Sequence, residues 1–469
     1  AAGVIGATGG TGLQFNNANG IYNFNTMTGA TTLSGGDAGI DIIGGAGQFT
    51  FTDTTITNPS GPCVRVNGGT ADVQFNGTSS LTQNNNAAGI DILSGHAGTF
   101  TFSPTTDITA TNGTGLQFNN ADGTYDFDGN VTLNGGDVGI DIIGDSNGTF
   151  TFSSLTSITS PSGTAFNVQD LGAGATVNYN GSIANGGSVF GELVLIDTTA
   201  AGSTIHFNST GMNSIMGNNA GNISIFDADG DVTFTTPVTI IDPANSFLLT
   251  GISIFGGNGT VSFTDTNLQL SAPMFTFNAG VELNGQQGTV NFQNLDITSN
   301  QPGLVGMSVF NVNNLNVTGS NTVDTTGGDG IVLFDANNTN MTFDSIRVTN
   351  SQSGFGGGDG ITHVNVAGRT FDVTGTTSVQ GANGVAGIGI DIDGSSGTFT
   401  FADIDIDTTT LDGIAVGTVS GNPGTVNING GTISNTGSDG VEIENAGGFN
   451  LNNTTFTNTA GFTIRGAGS

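Results

Sequence analysis

Gly39-Ile40-Asp41-Ile42-Ile43-Gly44, followed by Phe49-Thr50-Phe51, is the stretch on which the reading of this chain turns. The phrase Gly-Ile-Asp-Ile returns at Gly89 and Gly139, 50 residues apart each time, and again at Gly389. Each copy is followed by a second apolar alternation, at Gln48 to Phe51, Thr99 to Phe102, Thr149 to Phe152 and Thr398 to Phe401. Side-chain character that alternates with a period of two marks a strand with one buried face. A longer fixed period of such strands marks a solenoid, whose coils bury their inner faces only against neighbouring coils.

Two coils fit each 50-residue period. The first reads as strands at 40–42, 49–51 and 55–57, closed by Asn58-Pro59-Ser60-Gly61. The second reads as strands at 63–66, 73–75 and 80–82. Gly, Asn and Asp punctuate every junction, as corners that need positive φ require. The fold class is therefore all-β, a single β-solenoid over 1–469. A three-stranded rung of about 25 residues predicts about 19 rungs and a rod about 90 Å long.

A larger duplication lies over this period: Gly12 to Gly61 matches Gly115 to Gly163. Regular rungs span 10–163 and looser ones 164–320, where strand phrases such as Val232-Thr233-Phe234 and Val261-Ser262-Phe263 stand 28 or 29 residues apart. From 321 to 469 the rungs are regular again and open on Asp-Gly-Ile or Asp-Gly-Val, at Asp329, Asp359, Asp412 and Asp439. Gly and Asn interrupt every window in which a helix of normal length would form.

Composition narrows the function classes. Lys is absent, the four cationic side chains are Arg65, Arg347, Arg369 and Arg465, and the formal net charge is −33. Such a chain cannot neutralise phosphates, which excludes nucleic acid and anionic membrane surfaces as partners. Cations are the natural counterions. No apolar run reaches transmembrane length. Cys63 is the single cysteine, so no internal disulfide forms; its alternation with Val64 and Val66 makes it a small strand-end residue. The chain begins at Ala1 without Met and reads as a processed or excised segment.

The three-strand rung, the Asp-Gly-Ile openings and the Thr-Phe-Thr-Phe phrases together resemble bacterial exported right-handed parallel β-helix repeat proteins, of the autotransporter-passenger and giant surface adhesin type. The resemblance spans essentially the whole chain. Phe310 to Asn313 and Phe334 to Asn337 also fit a Phe-x-x-Asn signature of polymorphic outer-membrane passengers, whereas Phe15 and Phe118 do not. It implies an extracellular or cell-surface location.

Several clusters invite a chemical reading. Asp403, Asp405 and Asp407 alternate with Ile on one strand, and Asp391 and Asp393 lie one strand earlier. Carboxylates this close call for a counterion or a raised pKa, so the five are the candidate metal ligands, with calcium as the expected cofactor on the outside of the coil. Asp227-Ala228-Asp229-Gly230-Asp231 opens like a calcium loop, but Val238 stands where that loop needs an acidic residue, so it reads as an Asp-rich turn. Arg347, His363 and Arg369 fall within 23 residues, beside Asp344 and Asp372, as a polysaccharide-processing site would need. Thr50/Thr52 and Thr99/Thr101 suggest a hydroxyl array of ice-binding geometry, which Asn23, Asn25, Asp126 and Asp128 interrupt. No Walker loop, zinc spacing, nucleophile elbow or dinucleotide fingerprint is present.

The expected function is non-catalytic: an extracellular structural rod used as fibre subunit, surface-layer component or adhesin stalk, self-associating head to tail or meeting surface carbohydrate. The alternative is a polysaccharide-binding or polysaccharide-cleaving enzyme.

Overall fold

The computed structural model describes residues 5–24, 31–185, 192–209, 214–218, 222–242, 250–271, 278–300, 302–351, 358–381, 384–417 and 422–467. Asn25 of the interrupted hydroxyl array and the first four residues lie outside them. Every regular element among the described residues is a β-strand, and the named strand pairs are parallel. The chain is a parallel β-solenoid that divides into two compact units, Ala1–Pro237 and Val238–Ser469.

A coil of the first unit contains Ile40–Ile43, Gln48–Thr52 and Thr54–Thr57. Each strand pairs with its equivalent in the coils before and after, so three columns of strands run through the stack. In column one Ile40 faces Leu13 and Val64; in column two Phe49 faces Tyr22 and Val73; in column three Ile56 faces Leu33 and Leu81. Column one holds nine described strands in each unit, one per coil, slightly fewer than the 19 rungs anticipated for the whole chain. In the second unit columns two and three join in longer strands, Thr260–Leu270, Thr289–Ser299, Ala367–Gln380 and Ser396–Thr409. The coils continue through the stretch where the repeats loosen, since His206 pairs with Asn178 and Asn291 with Ser262, 28 and 29 residues apart.

The inner rows are the core. Ile40, Ile42, Phe51, Ile56, Val64 and Phe75 are fully enclosed. Aromatic rings repeat up the inner face of column two, with Phe24 stacked on Phe51 at 4.9 Å, Phe51 on Phe75 at 5.0 Å and Phe127 on Phe152 at 5.4 Å. Such pairs add about 0.5–1.5 kcal/mol each beyond the burial of their area.

Two recurring positions explain the glycine content. The residue before the first Ile of column one lies beneath the next coil: a Cβ on Gly139 would stand 2.5 Å from both the Ala165 carbonyl oxygen and Ile158 Cγ2. The residue closing column one turns the chain with positive φ, at Gly68 (66°), Asn120 (54°), Asp170 (54°), Asn311 (50°) and Asn365 (54°). Gly adopts that region freely, and Asn and Asp tolerate it.

Candidate functional site

Polar chemistry collects on the outer faces of the columns. Along column one a row of residues points away from the core, yet most of them are buried or half-buried. Stacked at about 4.8 Å, each is covered by its equivalents above and below. In the first unit the row runs Gln14, Asp41, Arg65, Asp91, Gln117, Asp141 and Asn167. Asp41 is only 1% exposed. It accepts hydrogen bonds from Arg65 Nε (3.0 Å), Arg65 Nη2 (3.1 Å) and Gln14 Nε2 (3.1 Å). Burial pushes its carboxyl up, but these donors outweigh burial and hold its pKa below the usual 3.8. Further along, Asp141 accepts from Asn167 Nδ2 at 2.6 Å and from Gln117 Nε2 at 3.4 Å. Asp41 and Asp141 are thus satisfied from coil to coil, whereas burial raises the pKa of Asp91 between them.

The second unit carries a different row: Thr362, Asp391, Ala415, Glu442 and Arg465. Two residues before three of these strands, those beginning at Ile361, Ile414 and Val441, stand aspartates of the Asp-Gly-Ile and Asp-Gly-Val openings. Asp359 Oδ1 accepts the Ile388 N–H at 2.6 Å, Asp412 Oδ1 that of Asp439 at 2.7 Å, and Asp439 Oδ1 that of Phe462 at 2.6 Å. Each acceptor holds the backbone at the same phase one coil further on. The repeated Asp was visible in the sequence; its capping role was not, because it depends on which N–H the next coil presents.

The two rows meet at the C-terminal coils. Oxygens from Asp412, Asp439 and Glu442 lie within 4.8 Å of one another, a spacing that suits a cation. Arg465 supplies positive charge there, with Nη1 at 3.0 Å from Glu442 Oε1 and 3.8 Å from Asp439 Oδ2. Asp391 has an enclosed Oδ1 with no hydrogen-bond partner. Burial, then Asp393, Asp359 and Asp412, push its pKa up to about 7. Burial likewise raises Asp359 to about 7.

The five predicted metal ligands fall on two columns. Asp391 and Asp393 belong to column one. Asp403, Asp405 and Asp407 stand on column three of the same coil. Asp407 accepts from Ser434 Oγ (2.8 Å) and Asn435 Nδ2 (2.6 Å), and Asp403 from Thr376 Oγ1 (3.3 Å). Asp405 is raised by burial and then by Asp407 and Asp403.

The basic cluster read from the sequence does not assemble. Arg347 sits outside column three, paired with Asp324 at 3.4 Å. Arg369 lies in the column-two half of its strand, without an ion pair among the described residues. His363 points into the core between Phe371 and Phe399, at ring distances of 4.5 and 5.4 Å. Cys63 is enclosed, and burial pushes its thiol up to about 12, which makes it a packing residue. On column two of the first unit, Gln48, Thr50, Asp72, Gln74, Thr99 and Thr101 line an open hollow of about 360 Å3. The outer row there alternates Asn23, Thr50, Gln74, Thr101 and Asp126, so the hydroxyl array expected from Thr50 and Thr101 is interrupted.

Fold and rows together define a parallel β-solenoid whose outer polar groups are tied from coil to coil. No protein-family profile, curated protein sequence or solved structure matches the chain. No described helix is long and apolar enough to cross a membrane.

Proposed function

We propose that the chain serves outside the cell as a non-catalytic structural element, as fibre subunit, surface-layer component or adhesin stalk of the bacterial exported type. One observation carries this reading: its most deeply buried carboxylates hold backbone N–H groups or neighbouring side chains of the next coil, as Asp41, Asp141, Asp412 and Asp439 do. Groups engaged in this way stiffen a stack and are not free to carry reaction steps. A surface almost without cations suits an exposed setting, since trypsin-like proteases find only four Arg and no Lys. Head-to-tail association belongs to the same proposal, because a parallel stack can add further coils at either edge. Light scattering over a concentration series tests it: mass per particle rises with concentration, and a constant monomer mass contradicts the association.

Calcium enters the proposal as a counterion of Asp403, Asp405 and Asp407, whose mutual repulsion a divalent cation relieves. Calorimetric titration detects binding that Asp405→Asn weakens at least fivefold; equal affinity in the two proteins removes calcium from this row.

A second reading, polysaccharide cleavage, draws support from the pKa values of about 7 at Asp359 and Asp391, the range of a general acid working near neutrality. Turnover of an acidic polysaccharide that Asp391→Asn abolishes favours the enzyme over the structural element.

A further inference from the structure

Column three of the first unit carries a feature that neither reading above uses. Its outer face presents a row of hydroxyl side chains, one per coil, from Ser34 through Thr57, Thr82, Thr109 and Thr132 to Ser157. The register along this row runs from coil to coil without a shift. At the N-terminal end a second row, Thr32, Thr55 and Ser80, runs beside it two residues earlier on each strand. No charged side chain interrupts the long row. The side chains of Thr57, Thr82, Thr109 and Thr132 are half-buried and make no hydrogen bond within the described chain, so their hydroxyls are open to water. The other outer rows differ. Column one is charged and largely buried, column two is broken by Gln74 and Asp126, and column three of the second unit carries Asp296, Asp324, Arg347 and Asp405.

We propose that this face binds ice, or the ordered water at its surface. Three physical points support it. The long row repeats at about 4.8 Å from coil to coil, and over the three coils that carry both rows, before Asp107 follows Ser80, alternate residues of a strand stand about 6.6 Å apart. Both repeats lie close to oxygen spacings in hexagonal ice. Threonine is β-branched and stiff at χ1, so in a fixed backbone its hydroxyl and methyl hold nearly fixed positions before any ligand arrives. The methyls order neighbouring water while the hydroxyls anchor it, and a row of coils presents many such weak contacts at once. Simultaneous contacts multiply, so adsorption is strong although no single contact is. The sequence points to Thr50 and Thr101 on column two; the unbroken row lies one column further on, and the phrases Thr55-Ile56-Thr57 and Ser80-Leu81-Thr82 double it before Asp107 ends the second row.

The test is thermal hysteresis, with inhibition of ice recrystallisation, on the purified chain. The native protein is expected to show both. Thr82→Tyr with Thr109→Tyr, on the outer face, is expected to lower the hysteresis at least tenfold with an unchanged circular dichroism spectrum. The milder pair Thr82→Ser with Thr109→Ser, which removes only methyl groups, is expected to lower it in part. Thr101→Tyr with Thr151→Tyr on column two is expected to leave it intact. Absence of hysteresis in the native protein overturns the proposal. So does an equal loss from the column-two pair, or full hysteresis in both column-three pairs.

Discussion

His363 shows how tightly the coil dictates a residue's surroundings. It occupies an inward position of column one, pairs in register with Leu333 and Ile392, and is enclosed with both ring nitrogens lacking a hydrogen-bond partner. Burial pushes its pKa down to about 3. A buried polar group without partners costs about 1–3 kcal/mol. His363→Leu is therefore expected to raise stability by an amount in that range at pH 7, read from chemical denaturation. The sign with pH follows from the lowered pKa. The unfolded chain takes up the proton near 6.5 and the folded chain only near 3, so the native protein loses stability as pH falls through that window. The variant loses less; identical pH profiles contradict the assignment. The alternation Ile361-Thr362-His363 marks position 363 as inward, whereas closeness along the chain groups it with Arg347 and Arg369. Closeness in sequence is a poor guide in a solenoid, where residues a few positions apart stand on different faces.

At the level of the strand, legibility was high wherever the period of two was strong. The strands expected at 40–42, 49–51 and 55–57 are Ile40–Ile43, Gln48–Thr52 and Thr54–Thr57. The alternation also placed Asp41 outward. It did not disclose that an outward side chain of column one is covered by its neighbours, because that depends on what the adjacent coils present at the same phase. The same limit hid the Asp capping row of the second unit. Asp359 belongs to that row, and burial, then the nearby Asp329, raises it to about 7 against the Ile388 N–H and the Thr362 hydroxyl that favour its charge. Because the folded state holds this proton more tightly than the unfolded one, the contribution is fully present below about pH 4 and is lost as pH rises to about 7. Asp359→Asn, which keeps an oxygen for the Ile388 N–H, is expected to flatten the decline in melting temperature over that window. An unchanged slope shows that Asp359 is ionised in the folded protein throughout.

Across the whole molecule, residues one coil apart in sequence stand one strand spacing apart in space. The most direct measurement is a series of spin-label distances on a Cys63→Ala background, which removes the one native thiol. Labels on the outer row of column two at Thr50 with Thr101, Asp126 or Thr151 span two, three and four coils of the first unit. Backbone separations of about 10, 14 and 19 Å are expected, rising in equal steps of about 4.8 Å. Label distances that fail to rise in even steps, or that scatter without regard to coil number, contradict the parallel in-register stack.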